Sequence, residues 1–372
     1  MQIYMHNFAC EKMISPLDGR WDFYPYNEFD IEELCFFDIE TTGLASATSN
    51  IYLIGAGYFD KEKKEFNVIQ WFADDYDSEK EMLKRFVSFV DTRKVLMQYN
   101  GSSFDIPFIR AKCKRHKVDF GPIENKKHLD IYVALRKYAK PLGLENKKLK
   151  SFEKYIGIDR EDMFDGGALI EVYVAYIHNK MMRKENEPML KLLLLHNYED
   201  IVGLSQVSVL LFLKELGGMH VRYEHAQFCN DGVIRLIYSG NFPYDCSFTL
   251  DGDIECRCLD SQIILKVPVR NDTLKYYFTD YKDYYYMIEE GNVIHKSVAV
   301  YTEPSVRRKA VKRECFVTKA GKFLPVKKPG CFSDKTHIFR EDYTLKDYYI
   351  EMTDELLNDS AFFEKYFAQV FE

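Results

Sequence analysis

Asp38-Ile39-Glu40 places two carboxylates one residue apart, directly after the apolar run Cys35-Phe36-Phe37. Side chains alternate along an extended strand, so both acids project from one side of a sheet. Carboxylates that close repel, and each resists ionising beside the other. A divalent cation removes this cost, because hard metals take carboxylate oxygens as ligands. Two further acids stand in comparable settings. Asp105 follows Asn100-Gly101-Ser102-Ser103-Phe104, whose small residues permit a sharp turn, and falls in the first turn of a helix. Complementing the helix dipole there would stabilise by about 0.3–1 kcal/mol, which is reason enough for an acid at that position. Asp200 comes four residues after His196 in an apolar helical stretch over residues 189–216, so the two share a face that Gly203 continues. An acid on the buried side of such a helix is costly without a partner. The His–Asp pair either satisfies itself or joins a common site. Tyr198 lies roughly 200° round the helix from Asp200 and points elsewhere.

These groups need a sheet and flanking helices to bring them together. Residues 34–40, 51–59 and 65–72 read as strands, the last two joined by the polar turn 60–64. Residues 78–90 have helical periodicity and 95–98 form a short buried strand. Residues 104–117 form a helix with a basic face, Leu129-Asp130 ends another strand, and helical segments continue to about Leu216. A strand meander followed by alternating strands and helices implies an α/β domain with a mixed sheet flanked by helices. Asp130, after its strand, is expected to cap the next helix. Residues 1–33 show no clear period and read as an N-terminal arm on the domain 34–216. Gly217-Gly218 marks the break. Residues 219–344 then alternate aromatic and β-branched side chains, with strands expected over 233–238, 263–269, 274–278 and 293–301 and turns at Asp251-Gly252 and Gly291-Asn292. Residues 345–372 read as a partly helical tail.

With 372 residues, 47% hydrophobic and 29% charged, the chain reads as soluble and globular, with length for two domains. No apolar stretch approaches ~18 residues, so no membrane span is expected, and the opening Met1-Gln2-Ile3-Tyr4 is no secretory leader. Nine scattered cysteines fit reduced thiols and a cytoplasmic setting. The C-x-C at Cys256 and Cys258 has no second pair at structural-zinc spacing. A net charge of −7 argues against a protein that simply coats polyanions. Locally the balance reverses: residues 101–155 hold 14 Lys and Arg against 6 Asp and Glu, and residues 301–330 hold 9 against 2. Basic tracts beside an acidic cluster suit a phosphate backbone handled through metal ions.

Taken together, Asp38-Ile39-Glu40-Thr41-Thr42-Gly43-Leu44, Asn100-x-x-x-Phe104-Asp105 and His196-x-x-x-Asp200 resemble the three motifs of the DEDD exonucleases, RNase H-like 3′→5′ nucleases related to proofreading domains. The resemblance spans roughly residues 32–215. Ile51-Tyr52-Leu53-Ile54-Gly55, Gln70-Trp71-Phe72 and His196-Asn197-x-x-Asp200 bring it closer to the bacterial YprB-like exonucleases. One feature departs from the superfamily pattern, which has Tyr four residues or His five residues before the last Asp: here His196 stands at the tyrosine spacing. The resemblance implies an RNase H-like fold and hydrolysis of phosphodiester bonds at single-stranded DNA or RNA ends. Asp38, Glu40, Asp105 and Asp200 would hold two Mg2+ or Mn2+ ions about 3.5–4 Å apart. His196 would serve as base or water-positioning group. Thr41, Thr42 and Gly43 would approach the terminal nucleotide, Leu44 would wedge near its base, and Asn100 and Phe104 would line the cleft. A catalytically silent nucleic-acid adaptor and a structure-selective endonuclease remain open alternatives, as do the choice of DNA or RNA and any protein partner. In the second domain, Tyr276, Tyr277, Phe278, Tyr281 and residues 284–286 precede Arg307-Arg308-Lys309 and Lys312-Arg313. Such interleaving suits either a single-strand stacking platform or aromatic packing within a β core.

Overall fold

Apolar stretches around the Asp-x-Glu pair form the central strands of a six-stranded sheet. The structure, a computed structural model, describes residues 1–14, 16, 21–162, 164, 166–229, 232–332 and 336–371. The chain divides into two units, Met1–Glu215 with Phe242–Tyr244, and Leu216–Asn241 with Asp245–Glu372. Strands of the first unit are β1 (Gln2–Ala9), β2 (Leu34–Thr41), β3 (Ile51–Asp60), β4 (Glu65–Phe72), β5 (Val95–Gln98) and β6 (Lys127–Asp130). Their order is β1-β4-β3-β2-β5-β6. β5 and β6 run parallel to β2, whereas β3, β4 and β1 form an antiparallel meander. The mixed sheet expected from the sequence is therefore present.

Helices α1 (Glu79–Asp91), α2 (Asp105–His116), α3 (Gly121–Glu124), α4 (Ile131–Leu135), α5 (Leu149–Tyr155), α6 (Gly166–Met181) and α7 (Glu187–Val207) flank it. Cys35, Phe37, Ile39, Ile54, Ala56 and Trp71 join Met82, Leu83 and Phe86 of α1 and Phe108 and Ile109 of α2 in one buried cluster. The alternate residues of β2 and β3 turn to α7. The apolar stretch beyond residue 187 is helical only to Val207, and continues as a 3-10 helix over Ser208–Lys214.

Two sequence expectations change in this unit. The segment read as an arm contains β1, an edge strand of the sheet. Its half-buried positions are Gln2, Tyr4 and Phe8, while the apolar Ile3 and Met5 face solvent, which breaks the hydrophobic alternation a strand would show. Lys112, counted on a basic face of α2, is fully buried, 3.7 Å from Glu79.

The second unit holds β7 (Arg222–Phe228), β8 (Val233–Ser239), β9 (Cys246–Leu250), β10 (Ile254–Leu259), β11 (Gln262–Pro268), β12 (Arg270–Tyr277), β13 (Tyr284–Met287), β14 (Val293–His295), β15 (Arg307–Lys309), β16 (Phe316–Val326), β17 (Ile338–Arg340) and β18 (Tyr348–Glu351). β7 to β11 make one sheet, β12, β16, β18 and β17 close a small barrel, and β14, β13 and β15 make a third sheet. Helices α8 (Lys296–Ala299), α9 (Asp354–Leu357) and α10 (Ser360–Phe371) complete it. The strand expected over 293–301 stops at His295, whose side chain caps α8 by accepting from the Ser297 amide. The segment read as a tail is integral to the unit. β18 is a barrel strand, and α10 lays Phe363 on Tyr223 (ring centroids 4.5 Å apart) and Phe367 on Tyr238 (4.9 Å). No helix among the described residues is long and apolar enough to cross a membrane.

Candidate active site

Asp38 and Glu40 lie opposite Gly55 and Leu53 of β3, and Phe36 lies opposite Gly57. Directly paired residues share a face, so Gly55 and Gly57 form a lane without side chains beside the two acids. Helix α7 lies in that lane. A Cβ on Gly55 would come within 2.1 Å of Asn197 Oδ1, and one on Gly57 within 2.6 Å of Ile201 Cγ2. This close approach lets Asn197 Nδ2 donate to Asp38 Oδ2 at 3.2 Å. Asn197 is itself fixed by Gln70 Nε2, which donates to Asn197 Oδ1 at 3.0 Å and to the Leu194 carbonyl at 2.9 Å. Tyr198 points the other way, as its helical angle requires, with its ring 5.2 Å from that of His6.

Asp105 enters at the carboxyl end of β5, beside β2, and is the first residue of α2. Its Oδ1 accepts from the Ile39 amide at 3.2 Å, between the two β2 acids. The turn before it is held by Asp130. That carboxylate accepts from the Asn100 amide (2.9 Å), the Ser102 amide (3.0 Å) and the Val133 amide (3.3 Å). Asp130 thus caps α4 and also braces the loop that presents Asp105.

The electrostatics follow from this crowding. Burial, then the charges of Asp105, Glu40 and Asp200, pushes the Asp38 carboxyl well above its ordinary range. Burial, then Asp200, Asp105 and Asp162, does the same to Glu40. Burial is also the main cause at Asp105, which is pushed up to about 7 against the pull of its backbone hydrogen bonds. Glu40 is 8% exposed and receives no hydrogen bond from the described residues. Donor-free oxygens on buried Glu40, beside carboxylates that cannot all ionise together, form a donor set that fits a divalent cation.

His196 faces the same space. Its Nδ1 lies 2.6 Å from Asp162 Oδ2, and its Nε2 lies 3.5 Å from Glu40 and 3.3 Å from Asp200. Glu40, His196 and Asp200 bring ligand atoms within 4.8 Å of one another. Burial alone would raise Asp162. The Phe164 amide, His196 and Lys150 outweigh it and hold that carboxyl below its ordinary range. Arg160 from the same loop contacts Asp200 at 2.6 Å and donates twice to Glu153 of α5, each bond 2.5 Å. Gly203 gives Glu153 the room to stand there, since a Cβ would lie 1.7 Å from its Oε1.

Sequence reasoning missed Arg160, Asp162 and Glu153, because Asp159-Arg160-Glu161-Asp162 reads as an ordinary charged loop after a helix. Gln70 and Asn197 carried a usable signal, being polar residues inside an apolar strand and an apolar helix. The four acids and His196 come together as described. Thr41, Thr42 and Gly43 form a tight loop at the end of β2. Thr41 Oγ1 donates to the Gly43 carbonyl, and Thr42 exchanges bonds with the backbone of Asn50. A Cβ on Gly43 would meet Ser49 Oγ at 2.6 Å. Leu44 is 86% exposed at the tip. Among the described residues, no hydrogen bond or ion pair joins Asn100 or Phe104 to Asp38, Glu40, Asp105 or Asp200. Asn100 takes a positive φ of 63° and binds Ser103, and Phe104 packs on Phe108.

Comparison with known proteins places this architecture. Residues 35–212 match the model of the RNase_H superfamily. YprB of Bacillus subtilis (strain 168), an uncharacterized protein, is 27% identical over 202 residues, covering 54% of this chain and 46% of YprB. A DNA polymerase of Thermococcus kodakarensis is 28% identical over 164 residues, covering 36% of this chain and 9% of the polymerase. Among solved structures, Escherichia coli exonuclease I bound to single-stranded DNA aligns with a TM-score of 0.29 at 17% identity, covering 56% of this chain and 54% of that one. The chain thus spans under half of YprB and a small part of the polymerase.

Proposed function

We propose that the first unit is a divalent-metal-dependent 3′→5′ exonuclease acting on single-stranded DNA or RNA ends. One observation carries this reading: Asp38, Glu40, Asp105 and Asp200, from three separate elements, converge at the carboxyl end of β2, where burial and mutual repulsion raise the pKa values of Asp38, Glu40 and Asp105. Two Mg2+ or Mn2+ ions held there would neutralise the acids and stabilise charge on the phosphate oxygens as the bond breaks. The chain's own residues supply the setting. Asn197 and Gln70 fix Asp38, Asp130 braces the turn before Asp105, and Asp162 orients His196. The exposed Leu44 on its pinned loop suits contact with a terminal base. Cys35, Cys113, Cys256 and Cys258 are buried as thiols, in keeping with a cytoplasmic setting.

The second unit supports the same substrate. On the β14-β13-β15 sheet, Arg307 and Lys309 lie over the Tyr285 ring at 4.9 and 4.1 Å, and Lys312 lies 5.9 Å from Tyr281. Neither Arg307 nor Lys309 stands within 4.0 Å of a carboxylate among the described residues, Lys309 acting on Asp283 only from a greater distance. This face is proposed as a single-strand platform. Tyr276 and Tyr277, by contrast, pack against Phe339 and Phe316.

The test is digestion of a 5′-labelled oligonucleotide with Mg2+ or Mn2+. A ladder of products shortened from the 3′ end, abolished by Asp38→Ala, is expected. Absence of cleavage of any DNA or RNA form would leave only the adaptor alternative, and cuts in a circular strand would indicate an endonuclease.

A further inference from the structure

We propose that His196 Nε2 is a direct ligand of a divalent metal shared with Glu40 and Asp200, rather than a general base standing beside an all-oxygen cage. The inference rests on the metal-dependent reading above and changes the donor set of that site. His196 is 5% exposed, and its ring is fixed by a 2.6 Å bond from Nδ1 to Asp162. A carboxylate that accepts a hydrogen bond from one imidazole nitrogen holds the ring proton there and leaves the lone pair on the other, which is the arrangement seen behind most metal-bound histidines. The free nitrogen points between two carboxylate oxygens, at 3.5 Å from Glu40 Oε1 and 3.3 Å from Asp200 Oδ2. Charge-assisted hydrogen bonds from an imidazolium would be about 2.7–2.9 Å. Ligands about 2.1 Å from one ion at right angles stand about 3.0 Å apart, so modest contraction onto an ion completes the site. Glu40 has no other partner among the described residues, and its carboxylate is aimed into this space. Arg160 holds the second oxygen of Asp200, so Asp200 offers Oδ2 alone to the ion.

An imidazole donor shifts selectivity. Mg2+ prefers an all-oxygen shell, whereas Mn2+ and the later first-row metals accept nitrogen readily. The site should therefore favour Mn2+ over Mg2+. Pulsed electron paramagnetic resonance of the 372-residue chain loaded with Mn2+ tests this without reference to activity. Modulation from a directly coordinated 14N is expected in the wild type and should vanish in His196→Gln. Asp162→Asn should keep the fold, checked by its melting curve, while weakening Mn2+ binding about 10–100-fold. Bound Mn2+ with oxygen couplings only, or His196→Gln retaining the nitrogen signal, would overturn the assignment and leave the nuclease reading standing. No Mn2+ bound at millimolar concentration would overturn both.

Discussion

Asp105→Asn should stabilise the metal-free protein in mildly alkaline solution. Asp105 titrates at about 7 in the fold against an ordinary 3.8, burial being the chief cause. The folded protein therefore holds a proton that the unfolded chain has released. Stability from this group is unimpaired below pH 4, declines as pH rises, and is fully reduced above pH 7. At 1.36 kcal/mol per pKa unit the penalty is on the order of 4 kcal/mol for Asp105 titrating alone. Asp38 and Glu40 share the same repulsion, so removing one charge should recover about half, roughly 2 kcal/mol. Asparagine keeps an oxygen for the Ile39 amide, so the hydrogen bond survives the change. Melting in a chelator at pH 8 should show the variant more stable by roughly 4–8 °C. The difference should close at pH 4, and added Mn2+ should raise the wild type more than the variant. A variant no more stable than wild type at pH 8, with a wild-type melting temperature flat from pH 4 to 8, would refute the crowding argument.

Other outcomes follow from the same geometry. Gly55→Ala should drive Asn197 off Asp38 and cost activity on the order of 10²-fold in a single-turnover assay, at a stability loss of about 1–3 kcal/mol. Arg160→Met leaves Glu153 buried without its partner and should destabilise by about 3–5 kcal/mol in denaturant titration; adding Glu153→Leu should restore much of that loss. Replacing Arg307 and Lys309 together by Ala should flatten the salt dependence of single-strand binding. The logarithmic slope should fall by about 1.4 for two lost phosphate contacts, with the melting temperature of the protein unchanged.

Legibility in the sequence followed the locality of the signal. β2 to β6 were readable because continuous apolar runs bounded by polar turns need no tertiary information. The Asp-x-Glu pair and the His196–Asp200 spacing were readable because strand and helix periods alone put them on one face. β1 was hidden because it lies at the sheet edge with Ile3 and Met5 turned to solvent, so its hydrophobic alternation is broken. Lys112 was misplaced because burial of a single lysine depends on Glu79, which lies 33 positions earlier in the chain. Arg160 and Asp162 were hidden for the same reason: their partners Asp200 and His196 are distant in sequence, and a charged loop gives no local sign that it folds inward and carries Glu153, the other partner of Arg160, with it. Gly55, Gly57 and Gly203 carry no chemistry of their own, yet they set how near α7 and α5 can come.

Diffraction from crystals soaked in Mn2+, recorded for its anomalous signal, tests the central claim most directly. The account predicts two peaks about 4 Å apart among Asp38, Glu40, Asp105 and Asp200. One of them should lie within coordination distance of His196 Nε2. Peaks absent from this cluster, or Mn2+ bound only elsewhere on the molecule, would contradict it.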